Sequence, residues 1–160
     1  MRRLALTTLM VVALALSGCA GPSIASADGA IAPEVALLGE TRNDRGVGDY
    51  DWLLIGGVDK RWRGLGEPPF IRENNRFHQV PAGRHTIYVR VQATAHRGLP
   101  ALRDGEVRFE NVELEGGRAY IANGQRSGEE FDVWIEDYRT KEHITSAVRL
   151  KPPRMGMPNF

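Results

Sequence analysis

The chain of 160 residues holds one cysteine, Cys19. A lone cysteine cannot close a disulfide within its own chain, so it is a free thiol, an intermolecular partner or a modified residue. Histidine is scarce as well: His78, His85, His96 and His143 show no H-x-x-H, HExxH or C-x-x-C spacing, so no local metal motif is present. Ser17 and Ser127 lack a nucleophile-elbow setting, and Gly64-Leu65-Gly66 is too short for a phosphate loop. Net charge is nearly absent. The formal value is +1, and loss of residues 1–18 removes Arg2, Arg3 and no acid, leaving −1. That excludes a basic field for nucleic acid and an acidic tail. No stretch carries a helical apolar stripe, and no repeat period is present. What remains is a chain with 42% apolar residues, enough for one globular core without staples.

The N-terminus settles the role of the cysteine. Met1-Arg2-Arg3 is a short basic start, and Leu4 to Leu16 is apolar except for Thr7 and Thr8. This run is shorter than the roughly 20 residues of a spanning helix and fits the apolar region of a secretory signal. Leu16-Ser17-Gly18-Cys19 follows and resembles the lipobox of bacterial lipoproteins, in which the chain is cut before a cysteine that receives a diacylglyceryl thioether. Residues 1–18 are then a signal peptide and Cys19 the lipidation site. The alternative is an ordinary signal cut after Ala25-Ser26-Ala27, an A-x-A site. Both export the protein; they differ on whether it stays attached to a membrane. Ala20 stands where Asp commonly retains lipoproteins in the inner membrane, which points to the outer membrane, facing the periplasm. Residues 19–33 are rich in Gly, Pro and small side chains and read as a flexible tether.

Residues 34–150 read as an all-β domain. Glu34 to Leu38 is a short apolar strand. Asp51 to Val58 is an apolar run whose Gly56-Gly57 marks a bulge or bend. Residues 59–75 read as a long loop that Trp62 and Phe70 pin to the domain. Arg76 to Val80 leads into a turn at Pro81-Ala82-Gly83. Over Arg84 to Ala95, His85, Ile87, Val89, Val91 and Ala93 share one face, and Thr86, Tyr88, Arg90, Gln92 and Thr94 the other; period two with one apolar face is a half-buried strand. After a loop at 96–104, Val107 and Phe109 fall out of phase with Val112 and Leu114, which calls for a bulge near Asn111. Gly116-Gly117 reads as a hairpin turn into Arg118–Asn123, and 123–130 as a polar loop. Phe131, Val133 and Ile135 alternate with Asp132, Trp134 and Glu136, His143 to Leu150 forms a last strand, and residues 151–160 form a loose tail. This pattern predicts an antiparallel, immunoglobulin-like sandwich of about seven strands.

Three segments carry a family resemblance. Val80-Pro81-Ala82-Gly83-Arg84-His85-Thr86-Ile87-Tyr88-Val89 resembles the V-x-G-x-H-x-I/L-x-V hairpin of small bacterial envelope lipoproteins with a PEGA-like sandwich. Val112-Glu113-Leu114-Glu115-Gly116-Gly117-Arg118-Ala119-Tyr120-Ile121 and Val133-Trp134-Ile135-Glu136-Asp137-Tyr138-Arg139-Thr140 are similar to later steps of the same domains. No clear I-D-G motif precedes the first segment. The resemblance implies a sandwich without enzymatic activity and names no ligand.

The expected function is therefore a non-enzymatic envelope lipoprotein, held to the membrane through Cys19 and contacting another envelope protein. A glycan- or peptidoglycan-binding module is the alternative. It would use aromatic side chains on outward faces: Tyr88 beside Arg90, Trp134, and Trp62. A hydrolase with an acidic pair drawn from Asp49, Asp51, Glu129, Glu130, Asp132, Glu136 and Asp137 ranks third, since a solvated acidic face accounts for most of them. His85 is expected to bond to a neighbouring loop at the sandwich edge. No catalytic residue, metal ligand or cofactor is assigned, and no nucleic-acid partner.

Overall fold

The structure is a computed structural model, and it describes residues 30–46, 49–62, 70–72, 75–93 and 103–153. The expected signal segment, Cys19 and His96 lie outside these residues. Eleven strands are described: β1 (Val35–Gly39), β2 (Thr41–Gly46), β3 (Asp49–Val58), β4 (Lys60–Arg61), β5 (Phe70–Arg72), β6 (Asn75–Pro81), β7 (Gly83–Ala93), β8 (Arg103–Leu114), β9 (Ala119–Ser127), β10 (Glu130–Asp137) and β11 (Val148–Leu150). They form two sheets. Sheet A has the order β11-β10-β9-β1-β6-β5, and sheet B the order β2-β3-β7-β8 with β4 also on β3. All pairs are antiparallel except β1 with β9. The protein is an all-β sandwich, with β2 and the short strands β4 and β5 added to those expected.

The alternation in the sequence maps directly onto the core. Ile87, Val89, Val91 and Ala93 of β7 are fully buried. They meet Leu53 and Ile55 of β3, Val107, Phe109, Val112 and Leu114 of β8, and the inner side chains of sheet A, including Leu38, Val80, Tyr120, Phe131, Val133 and Ile135. Each such burial is worth about 1.5–3 kcal/mol. β1 is buried along its whole length because it sits between β6 and β9 and has both faces covered. Its second face, Val35 and Leu37, packs with Phe77 as a separate apolar cluster on the outside of sheet A.

Both expected bulges are present. Ile55 pairs with Val89 and Gly57 with Tyr88, so Gly56 is the extra residue in β3. His85 pairs with Val112 and Ile87 with Phe109, so Glu110 and Asn111 together oppose Thr86. Asn111 has φ 56°, a left-handed conformation that Asn tolerates better than most residues. The bulge brings Val107, Phe109, Val112 and Leu114 to one face.

Several expectations need correction. Gly116-Gly117 is a turn but not a hairpin: β8 lies in sheet B and β9 in sheet A, so the chain crosses between the layers there. The turn at Pro81–Gly83 likewise joins β6 of sheet A to β7 of sheet B. Residues 123–127 are strand, not loop, because β9 continues in register against β10 as far as Ser127 opposite Glu130. Residues 41–46, which carry no apolar side chain, form the largely exposed β2. The segment 59–75 contributes β4 and β5, and strand pairing resumes at Arg103 rather than after 104. Strand geometry in 143–150 is limited to β11 and one bridge, His143 to Glu136. The tail is docked at its start: Pro152 is buried and the amide of Asp104 donates to the Pro153 carbonyl at 3.4 Å. Residues 154–160 lie outside the described residues.

Candidate functional site

The fold separates the four side chains expected to make contacts. Tyr88 and Arg90 project from the outer face of sheet B, on the opposite side of β7 from the buried valines. Arg90 holds Asp104 through two hydrogen bonds, Nε to Oδ1 at 2.7 Å and Nη2 to Oδ2. The Asp104 bond raises the pKa of the guanidinium. The guanidiniums of Arg61 and Arg108 lie 5.4 and 5.9 Å from the centre of the Tyr88 ring, within cation–π range. Trp52, opposite Gln92 across β3 and β7, shares this face and was not singled out from the sequence. Trp134 belongs to the other layer. Its ring stacks on His143 at 4.6 Å, and its Nε1 donates to Glu136 Oε2 at 2.6 Å. Trp62 is at the seam between the sheets, half-buried against the main core, with its ring 4.7 Å from that of His78. The structure thus joins Tyr88 to Arg90 and leaves Trp62 and Trp134 apart from them.

The solvated reading fails for three of the seven acids, since Asp51, Glu136 and Asp137 are buried. Each has partners. Asp51 meets Arg45 at 2.7 Å and Arg126 at 3.3 Å, although burial still raises its pKa against these cations. Glu136 receives Trp134 Nε1 and, at 3.1 Å, Asn123 Nδ2. Burial alone would push the Asp137 carboxyl up. The amides of Thr140 and Arg139 and the Arg118 guanidinium outweigh it, and its pKa is lowered.

A buried acid that sequence reasoning passed over is Glu40, where the chain crosses from β1 to β2. Its Oε1 lies 3.1 Å from His78 Nε2 and accepts the Ile55 amide at 3.3 Å. Arg76 stands 3.6 Å from Oε2. β2 pairs with β3 only to Leu53 and β4 only from Gly57, so Glu40 serves an amide that the strand edge leaves over. Gly39-Glu40 at the end of an apolar segment was the available signal. It reads as a strand end because nothing local announces the distant donors. His85 also links elements: Nδ1 is 2.8 Å from Asp59 Oδ2 and Nε2 is 2.9 Å from the Pro81 carbonyl, the loop contact expected of it. The Thr86 amide and then His85 lower the Asp59 pKa.

Among the described residues, a concave feature with both apolar and charged walls lies beside Ile31, just before β1. It is a cavity of about 310 Å³. Ile31 and Gly117 form one wall, Phe77 and Ala119 the apolar base, and Arg118 with the Asp137–Thr140 turn the remainder. The turn is set by Asp137 Oδ1, which accepts the amides of Arg139 and Thr140 at 2.9 and 2.8 Å. Tyr138 meets Phe77 edge to face at 5.4 Å. Arg118 reaches Glu115 at 3.0 Å and Asp137 at 3.2 Å. Arg139 is exposed and makes no ion pair among the described residues. Among those residues no three His, Cys, Asp or Glu side chains converge as a metal site would require.

By fold the protein belongs to the all-β sandwiches. Comparisons with family models, with curated proteins and with solved structures find no match for this chain.

Proposed function

We propose that this chain is an exported lipoprotein of the bacterial cell envelope, anchored through Cys19 and presenting its sandwich as a non-enzymatic interaction module. The observation that carries the reading is the order apolar run Leu4–Leu16, small pair Ser17-Gly18, then the single cysteine. The PEGA-like resemblance, the small-residue tether and the absence of Asp after Cys19 support the same address, the periplasmic side of the outer membrane. For the module, support comes from the outer face of sheet B, which carries Tyr88, Arg90 and, further along, Trp52. The arginine partners of Asp51 and Asp137 favour a structural role for those acids over a hydrolytic one. Glycan binding through Trp134 is the weaker reading, since that ring is already stacked on His143.

The anchor is tested by partition into the detergent phase and by the mass of the mature N-terminus. Wild type should enter the detergent phase and carry the lipid mass on Cys19; Cys19→Ser should do neither. A wild-type N-terminus at Asp28 would overturn the anchor and give the signal to Ala25-Ser26-Ala27. For the module, a photo-crosslinker at Tyr88 should give one specific adduct in cells, and its absence would count against that face.

A further inference from the structure

We propose that the cavity at the root of the tether binds the headgroup of an anionic phospholipid. The proposal rests on the membrane-anchored reading, and it adds a second, non-covalent contact with the same membrane. Three observations carry it. First, the wall of the cavity includes Ile31, and the Gly117 amide donates to the Ala32 carbonyl at 3.2 Å. The site is therefore fixed to the point at which the tether arrives. From Cys19 to Ala30 the chain has a root-mean-square reach of only about 17–20 Å, which keeps the cavity close to the lipid surface. Second, the walls are of two kinds. Phe77, Ala119 and the Tyr138 ring offer apolar contact, as the glycerol and first methylenes of a lipid require. Two guanidiniums, Arg118 and Arg139, line the cavity with one carboxylate, Asp137. Glu115, outside the lining, also holds Arg118 at 3.0 Å, so the charge left unpaired among the described residues is that of Arg139. Third, that carboxylate is taken up by Arg118 and two backbone amides. Arg139 has no carboxylate of its own among the described residues.

A phosphodiester fits this arrangement. It carries a single negative charge, its oxygens suit the planar fork of a guanidinium, and its flanking groups are apolar. Arg139 supplies the charge and Arg118 a donor shared with Asp137 and Glu115. Proximity to the bilayer supplies the effective concentration, so a weak intrinsic affinity suffices. The contact would turn a freely rotating tethered domain into one with its tether end against the lipid.

The experiment titrates the full-length chain, in neutral detergent, with dihexanoyl phosphatidylglycerol and with dihexanoyl phosphatidylcholine, followed by calorimetry. Wild type should bind the anionic lipid saturably and the zwitterionic lipid far more weakly. Arg139→Glu should weaken binding by about tenfold or more, as expected for loss of a charge-assisted bond. Arg139→Gln should fall between the two, and Arg84→Glu, a reversal at an exposed arginine outside the cavity, should leave binding unchanged. Circular dichroism checks that the variants are folded. Equal weakening by Arg84→Glu, or equal binding of both lipids, would overturn the site. Binding of glycerol phosphate as strong as that of the lipid would overturn the lipid assignment in favour of a soluble phosphate ester. The N-terminal mass of the same preparation separates the two readings. A chain beginning at Asp28 that still binds the anionic lipid at Arg139 removes the anchor and keeps the site; a lipidated chain that does not bind removes the site and keeps the anchor.

Discussion

At Gly116 a β-carbon would stand 1.6 Å from the Pro33 carbonyl oxygen, so any other residue must push the segment before β1 off the domain. Its neighbour Gly117 has φ +77° and donates its amide to the carbonyls of Ala32 and Val35 at 3.2 and 2.8 Å. The pair is needed for close approach of two segments as much as for the turn itself. Gly116→Ala should cost about 2–4 kcal/mol in a urea melt, and amide exchange should speed up at Val35 and Gly117. A loss below about 0.5 kcal/mol, the usual range of surface changes, would show that this segment does not pack there. The crossing has a second lock in Tyr120, whose buried hydroxyl accepts the Glu115 amide at 3.0 Å, the geometry of a tyrosine corner. Desolvation raises the pKa of that phenol.

Asp137 gives a pH prediction at the same scale. Its pKa is lowered in the folded state, so the folded chain binds this proton less readily than the unfolded chain. The resulting stability is present above the ordinary aspartate value of about 3.9 and is lost as pH falls through the lower folded value. Asp137→Asn keeps an acceptor for the Arg139 and Thr140 amides and loses the attraction to Arg118. The variant should be about 1–2 kcal/mol less stable than wild type at neutral pH, with the gap closing as pH falls below the ordinary aspartate value and the wild-type carboxyl protonates. A gap that is constant with pH would mean that the charge of Asp137 contributes nothing.

Among the strands, β7 is the clearest case of sequence alternation becoming architecture. Val89 has no exposed surface, while its neighbour Arg90 is exposed and tied to Asp104. Val89→Asp places a charge in an apolar core and should cost about 4 kcal/mol or more. Arg90→Ala loses a partly exposed ion pair and should cost about 1 kcal/mol or less. Urea melts of the two variants make the comparison, and similar losses would mean that β7 is covered on both faces. The strands legible in the sequence are those, like β7 and β10, with one face in the core and one in solvent. β2 was missed because an edge strand of sequence TRNDRG buries little and so has no apolar period. The second half of β9 was missed for the same reason, since it is held by cross-strand pairing and by Arg126 reaching Asp51 and the Phe131 ring. Both bulges were legible, that in β3 from the Gly56-Gly57 pair and that in β8 because it breaks the phase of an apolar pattern. Sheet membership was not: Gly116-Gly117 has the same composition whether it closes a hairpin or carries the chain across the sandwich. Of the four expected contact residues, period two placed Tyr88 and Arg90 outward correctly. It could not show that Trp134 meets His143 and Trp62 meets His78, because those partners come from other segments.

At the scale of the whole molecule, the two sheets are linked by crossings at Glu40, at Ala82 and at Glu115–Arg118, and they share one inner core. Sheet A contributes Leu38, Val80, Tyr120, Phe131, Val133 and Ile135 to that core, and none of these is more than 2% exposed. Were sheet B to unfold alone, those six side chains would meet water at about 1.5–3 kcal/mol each. Their sum is comparable to the roughly 5–15 kcal/mol of net stability typical of a domain. Sheet A therefore has no stable existence without sheet B, and the same reasoning holds in reverse. The sandwich should unfold in one step. The tryptophans provide the means to observe this: Trp52 reports on sheet B, Trp134 on sheet A and Trp62 on the seam. Two variants, one retaining only Trp52 and the other only Trp134, with Phe at the other two positions, should show urea midpoints by fluorescence that coincide with their own midpoints by far-ultraviolet circular dichroism. A Trp134 transition separated from the circular dichroism curve would show that sheet A persists or fails by itself. The core would then have to be divided between the layers rather than shared.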